Sequence, residues 1–376
     1  MATLHIFNPE HDIALALNQQ RFMAPHAGRQ LRANLGYIPA FWANDADMVL
    51  VDEVEGALEA VRHLKRYAHD VAFVSKADLA HMDVRMIDRI EPWGWDLKLC
   101  TELLDTQPAL QPLLPTALQL AEIRQLSHRR FAAEAVLPHL TALDQHLTGE
   151  SVCCTTVEQA LQQIERHTDS VLKAPWSSSG RGLRYVRRTL TEHERGWLNN
   201  IIARQGSVMV EPRYNKVYDF GMEFYAHADG VRYQGLSLFD TENGAYSGSV
   251  LATEEDKEKM MQRYVSSSLL ALVKQSLIDT LTPLLRDKYV GAFGVDMMIT
   301  AGSADAFFLH PCVEINLRRT MGHTALALSP DAYSAQGVMR VTYTGGKYKL
   351  RVTSVIDNLL NTSVIPKIRN YHPIHD

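Results

Sequence analysis

Gly294-Val295-Asp296 is followed, eighteen residues after the aspartate, by Glu314 within Val313-Glu314-Ile315-Asn316. Asp296 closes the apolar run 289–295 and leads into Met297-Met298-Ile299, so both sides of it read as strand. Glu314 and Asn316 are two apart, and on a strand both side chains leave the same face. Two neighbouring strands can therefore present two carboxylates and an amide oxygen together. These are the hard ligands that Mg²⁺ takes when its other positions belong to water and phosphate. The bland alternative is a hairpin with solvated polar residues; the apolar neighbours of Glu314 and Asn316 weigh against it.

Upstream, Ser170-Val171-Leu172-Lys173-Ala174-Pro175 is a short strand ending near a lysine. It runs into Trp176-Ser177-Ser178-Ser179-Gly180-Arg181-Gly182 and then a second strand, Leu183-Arg184-Tyr185-Val186. A small-residue loop lets backbone N–H groups approach a polyphosphate, and Lys173 supplies a point charge. No Gly-Lys-Ser/Thr opens a helix after it, so this is not a Walker A loop. Further on, Ser207-Val208-Met209-Val210-Glu211-Pro212 is a strand closing on an acid, and Asp219 follows. Read singly, Glu211 is a solvated strand end and Asp219 a turn residue.

In this order the segments resemble the ATP-grasp superfamily over residues 120–330. The resemblance implies ATP-binding residues Lys173, Ser178, Ser179, Gly180 and Gly182 at the phosphates, Glu211 at the adenine and Asp219 at the ribose. It implies Asp296, Glu314 and Asn316 as holders of Mg²⁺, with Mn²⁺ as a substitute. A further basic residue of the family falls at Ser127-His128-Arg129-Arg130, with Ser127 as the expected helix N-cap and Arg130, or else Arg129, as the phosphate contact. The family's later lysine has no direct match; Arg232, Arg318 and Arg319 are its alternatives. An arginine just after the metal-binding asparagine makes Arg318 a catalytic candidate beside Lys173, and Arg319 a substrate candidate.

The activity so implied is an ADP-forming ligation that joins a small-molecule carboxylate to an amine through an acyl phosphate. A small-molecule kinase on the same fold, a degenerate ATP binder and a non-enzymatic interaction protein are the alternatives.

Length and composition allow this. The 376 residues suffice for two or three domains, and 46% hydrophobic with 22% charged residues is ordinary for a globular protein. A net charge of −5 argues against a general nucleic-acid binder. No signal peptide, no apolar stretch of membrane-spanning length and no zinc spacing among Cys100, Cys153, Cys154 and Cys312 is read, so a cytoplasmic, reduced protein is expected, with a homodimer as the default assembly.

The fold class expected is α/β, with α+β character in the grasp module. Strands at 4–7, 48–51 and 70–74 with a helical pattern at 55–67 predict an open parallel sheet over 1–120. A small subdomain with the phosphate loop is expected over 121–210, a large one with the metal site over 211–345, and a C-terminal extension over 346–376 that opens with a last strand at 348–352. The run 254–287 predicts two helices broken near Thr282-Pro283. Ser177–Gly182 and the stretch 240–249 are the expected mobile lids. Asn8-Pro9-Glu10-His11-Asp12 follows the first strand at the sheet edge where α/β ligand sites gather, making His11 and Asp12 substrate candidates; a Pro turn with Asp12 capping a helix competes evenly.

Overall fold

The computed structural model describes residues 2–177, 182–242, 245–302, 306–330 and 337–354. Ser178, Ser179 and Gly180, and the tail from 355 on, lie outside the described residues.

Four short strands, β1 (Ala2–Ile6), β2 (Met48–Leu50), β3 (Ala72–Val74) and β4 (Ile87–Pro92), form a wholly parallel sheet in the order β3-β2-β1-β4. The chain steps outward from β1 to β3 and then returns to the other side of β1. The carboxyl ends of β1 and β4 therefore flank the switch point, where open α/β sheets form ligand crevices.

A second sheet of four strands has the order β5-β8-β6-β7: β5 (Val152–Cys154), β6 (Asp169–Lys173), β7 (Leu183–Arg187) and β8 (Val208–Pro212). Helices Val157–Glu165 and Glu192–Gln205 cover it through Ala160, Ile164 and Leu198. The third sheet has seven strands in the order β13-β12-β9-β10-β11-β14-β15, every named pairing antiparallel. They are β9 (Lys216–His227), β10 (Gly230–Glu242), β11 (Ala245–Leu251), β12 (Gly291–Ala301), β13 (Phe307–Asn316), β14 (Gly337–Thr344) and β15 (Lys347–Ser354). Alternation sets its faces: Val295, Met297 and Ile299 enter the core while Asp296 and Met298 face away from it.

Helix Ser267–Leu285 packs on the core face through Leu270, Val273, Leu277, Leu281 and Leu285, one apolar stripe at helical spacing. The expected break at Thr282-Pro283 is absent. The interruption falls at residues 262–266, where the Ser266 side chain caps the second helix by accepting from Leu269 N. Pro283 sits in the last turn, where buried Leu281 and Leu285 hold the helix despite the lost N–H. At nineteen residues this helix is also long and apolar enough to cross a membrane by length and composition, contrary to the sequence expectation, but its stripe is committed to the sheet.

Two other expectations change and one is met. Ser127 ends helix Ala117–Leu126 rather than starting the next one, whose first turn is capped by His128 accepting from Arg130 N. The stretch 240–249 is mostly strand, with β11 paired on both sides by β10 and β14, so it is framework rather than a lid. The last strand read at 348–352 is the edge strand β15. Its Leu350 shares a core with Phe7, Leu35 and Trp93 of the N-terminal part, which welds that part to the large sheet.

Candidate functional site

The segment after β1, the neck of the loop after β6 and the end of β13 converge on one recess. It is lined by His11, Asp12, Ser127, Trp176, Ser177, Glu314, Asn316 and Arg318.

On the strands, Asp296 stands directly opposite Glu314, and Gly294 opposite Asn316. Asn316 Nδ2 donates to Asp296 Oδ2 at 3.1 Å. A bulge between His310 and Glu314, where Pro311-Cys312-Val313 oppose Met297 alone, aims the glutamate. Two facing carboxyls repel each other. Burial and then Glu314 push Asp296 up to about 7. A divalent cation between them would remove that repulsion, and on this ground the residues fit one. Among the described residues no group of three His, Cys, Asp or Glu side chains could hold a metal. The donor set is thus two carboxylates and the Asn316 amide, which leaves positions for phosphate and water.

The basic residue beside this pair is Arg129, not Arg130. Arg130 is exposed and its nearest acid is Glu134, at 3.8 Å. Arg129 is buried: its Nη2 donates to Glu314 Oε2 at 2.8 Å, while Nη1 donates to Ser177 Oγ at 3.0 Å and to the Ala174 carbonyl. Consecutive helical residues point about 100° apart, so one of the two arginines had to face away. The helical segment continues from Arg129–Phe131 into a π-helical turn, Ala132–Val136, a feature common at functional sites.

The loop neck is pinned on both sides. Ala174 N donates to Gly182 O at 2.8 Å, and a Cβ on Gly182 would fall 2.3 Å from that of Ser177, so only glycine lets the neck close. Trp176 is fixed by its indole N–H to Arg124 O, 3.0 Å, with the Arg124 guanidinium 3.8 Å over the ring. Lys173 Nζ lies 2.6 Å from Glu211 Oε2, both side chains buried, and Ser151 donates to Glu211 Oε1 at 3.0 Å. Asp219 lies on β9 opposite Met298 and accepts from Lys216 at 2.5 Å. The same-face neighbour of Glu314, His310, is buried with neither ring nitrogen partnered; burial and the Lys173 charge hold it down at about 3.

Arg318 grips Asp12 with two hydrogen bonds and also donates to Asn316 Oδ1 at 3.0 Å. Burial works to raise Asp12, but the guanidinium outweighs it and holds the carboxyl below its ordinary range. Arg319 turns the other way, donating to Glu91 Oε2 at 3.0 Å and lying 4.8 Å over Trp42. Tyr225 donates to the other oxygen of Glu91. In this structure Arg319 clamps the N-terminal sheet to the large one rather than facing the recess. Arg232 is exposed and pairs with Asp229.

Two groups carry no sequence signal. Asp96, the N-cap of helix Leu97–Thr106, lies 3.2 Å from His11 Nδ1 and accepts from Asn8. Glu223 is buried beside His323, Oε2 to Nδ1 3.0 Å, and burial pushes it up to about 8. His323 Nδ1 accepts from Thr320 N, and Glu223 Oε2 beside it makes no hydrogen bond. Both pairs join residues far apart in sequence, which leaves no local spacing to read.

No family model matches the sequence, and no curated protein matches it. Solved structures are similar to it over most of the chain. N5-carboxyaminoimidazole synthetase from Staphylococcus aureus, complexed with ADP, is similar over 91% of this chain and 82% of that one, with 12% identity and a TM-score of 0.47. Biotin carboxylase from Campylobacter jejuni is similar over 90% and 75%, with 12% identity and a TM-score of 0.46. An Archaeoglobus fulgidus protein of the ATP-grasp superfamily is similar over 94% and 99%, with 11% identity and a TM-score of 0.48.

Proposed function

We propose that this chain is an ATP-dependent, ADP-forming ligase that couples a small-molecule carboxylate to an amine. One observation carries the reading. The Arg129 guanidinium bonds at once to the neck of the Ser/Gly loop, at Ala174 O and Ser177 Oγ, and to Glu314 on β13. A phosphate loop and a carboxylate pair suited to a divalent cation are thereby held one side chain apart, as a nucleotide polyphosphate bridging the two requires.

In this reading the substrate carboxylate attacks the γ-phosphorus, its oxygen bonding to phosphorus as the bond to the β-phosphate oxygen breaks and ADP leaves. The amine then attacks the acyl carbon and phosphate departs. Phosphoryl transfer is governed by positioning and charge neutralisation, so the protein has little covalent work. Lys173 and Arg129 offset phosphate charge, and Glu211 holds the lysine in place. Arg318 offers a planar fork to the acyl phosphate or the carboxylate. Asp296, Glu314 and Asn316 would hold Mg²⁺, which when bound would offset the negative charge of the polyphosphate.

The test is calorimetric titration of Mg·ATP into the wild type and Lys173→Ala, then ADP and phosphate release over a panel of carboxylates and amines. Magnesium-dependent binding lost in the variant, with phosphate release needing both substrates, is expected. No binding to the wild type overturns the reading; ADP release with a phosphorylated product and no free phosphate makes the protein a kinase.

A further inference from the structure

The motif Asn8-Pro9-Glu10-His11-Asp12 has its residues spent in different directions. Glu10 is buried against Arg32 and Lys98, and Asp12 is held by Arg318. Asn8 donates to Gly94 O at 2.8 Å and to Asp96 at 3.1 Å, stitching the end of β1 to the segment after β4. Glu10 Oε2 and His11 Nε2 are both left without a hydrogen-bond partner, but the Glu10 carboxylate already has two cations on its other oxygen, whereas the His11 nitrogen faces none. His11 Nδ1 lies 3.2 Å from Asp96 Oδ2, while Nε2 is enclosed and has no partner.

Asp96 fixes the proton. It accepts from Asn8 Nδ2 and, through Oδ1, from Leu99 N at 2.9 Å, both donors. An acceptor placed among donors requires the Nδ1 of His11 to be the protonated nitrogen, which leaves a lone pair on Nε2. Gly94 sets the ring: a Cβ there would lie 2.6 Å from His11 Cγ, so the imidazole lies against bare backbone and cannot rotate freely. This ring lines the same recess as Ser177, Glu314, Asn316 and Arg318, at the switch point of the parallel sheet.

We infer that His11, held by Asp96, is the base that takes a proton from the incoming ammonium and so frees the amine to attack the acyl phosphate; the inference rests on the ligase reading above. One proton of the ammonium passes to His11 Nε2, and the nitrogen lone pair so freed bonds to the acyl carbon. The bond from that carbon to the phosphate oxygen then breaks, and phosphate leaves with the electron pair. A second N–H proton leaves with the phosphate, and the imidazolium, its Nδ1–H still donating to Asp96, releases the proton on Nε2 to solvent. His11 is the catalytic residue of this half-reaction, and Asp96 is a positioning residue that selects its tautomer.

The experiment compares two nucleophiles on one preparation of the full-length protein, with Mg·ATP and a panel of carboxylates. Hydroxylamine is uncharged at neutral pH and traps acyl phosphates readily; methylammonium must lose a proton first. His11→Gln is expected to lower the ratio of methylamide to hydroxamate formed by about a hundredfold, the lower end of what general-base catalysis contributes. Asp96→Asn is expected to lower the same ratio, and both to shift the acidic limb of the methylammonium pH profile. The ratio is independent of how much protein is folded. Equal loss with both nucleophiles, or an unchanged ratio, overturns the role of His11 while leaving the ligase reading intact. No hydroxamate from the wild type with any carboxylate overturns both.

Discussion

Asp12 and Arg318 are 306 residues apart in sequence and meet in a two-pronged ion pair, 2.9 Å on each prong, that closes the N-terminal sheet onto the end of β13. The guanidinium also reaches Asn316, so the same side chain ties domain closure to the asparagine of the carboxylate site. Removing Asp12 leaves a poorly solvated guanidinium with too few acceptors. Asp12→Ala is expected to cost about 3 kcal/mol, and Asp12→Ala with Arg318→Met less than the sum of the two single changes. Urea unfolding of the four proteins measures this, and strict additivity would show that the pair does not couple.

Asp296→Asn and Glu314→Gln are expected to abolish turnover while far-ultraviolet circular dichroism stays that of the wild type. In each case a donor to the divalent cation is lost from a strand pair whose backbone ladder is untouched. Wild-type product formation by either variant would remove the metal assignment.

Metal-free stability should fall as pH rises from about 6.5 to 8. Asp296 and Glu223 hold their protons to about 7 and about 8 in the folded state, so there the folded protein binds more protons than the unfolded chain. Each contributes a slope of up to about 1.4 kcal/mol per pH unit while it alone differs. Below about 6.5 the sign is offset, because buried His310 and His323 stay neutral near pH 3 to 6.5 while their unfolded counterparts take up protons. Chemical denaturation at pH 6.5 and 8 should show the decline, and Glu223→Gln should flatten it. A profile that rises across this window would contradict the assignment.

Arg129 and Arg130 make a matched pair for mutation. Arg129→Met is expected to weaken Mg·ATP binding at least tenfold and to lower stability by about 3 kcal/mol, since it strands Glu314. Arg130→Met, on an exposed side chain, should change stability by no more than about 0.5 kcal/mol. Calorimetry and thermal melting separate them, and equal effects would mean the exposed arginine also reaches the nucleotide.

Gly94→Ala should act on His11. The added methyl would occupy space 2.6 Å from the ring, so the imidazole must tilt away from Asp96. A changed ring-nitrogen NMR signature for His11 with little change in the backbone spectrum is expected. An unperturbed histidine would show that the ring has room the structure denies it.

The sequence carried the strands well wherever their apolar runs were short and bounded, as at 48–51 and 208–212. It did less well at Pro283, where local chemistry argued for a break and the buried leucines on either side prevailed. Capping was misread at Ser127 because Ser and His can both serve, and the direction of the backbone decides which. Of the candidate residues, Asp296, Glu314 and Asn316 are gathered by strand pairing alone. Arg318 and Arg319, read as a catalytic and a substrate candidate, face opposite ways, one towards Asp12 and one towards Glu91.

The sequence by itself determined the alternation that sorts side chains to the two faces of β12 and β13, the glycine neck after Lys173 and the alternation of strand and helix that gives a parallel sheet. These are set within a few residues by covalent geometry and periodicity. Only the tertiary structure decided which arginine reaches Glu314, which carboxylate fixes His11, and that β15 closes the large sheet against the N-terminal part. Each depends on pairs separated by tens to hundreds of residues, whose meeting is fixed by the burial of shared apolar surface and not by any local preference of the chain.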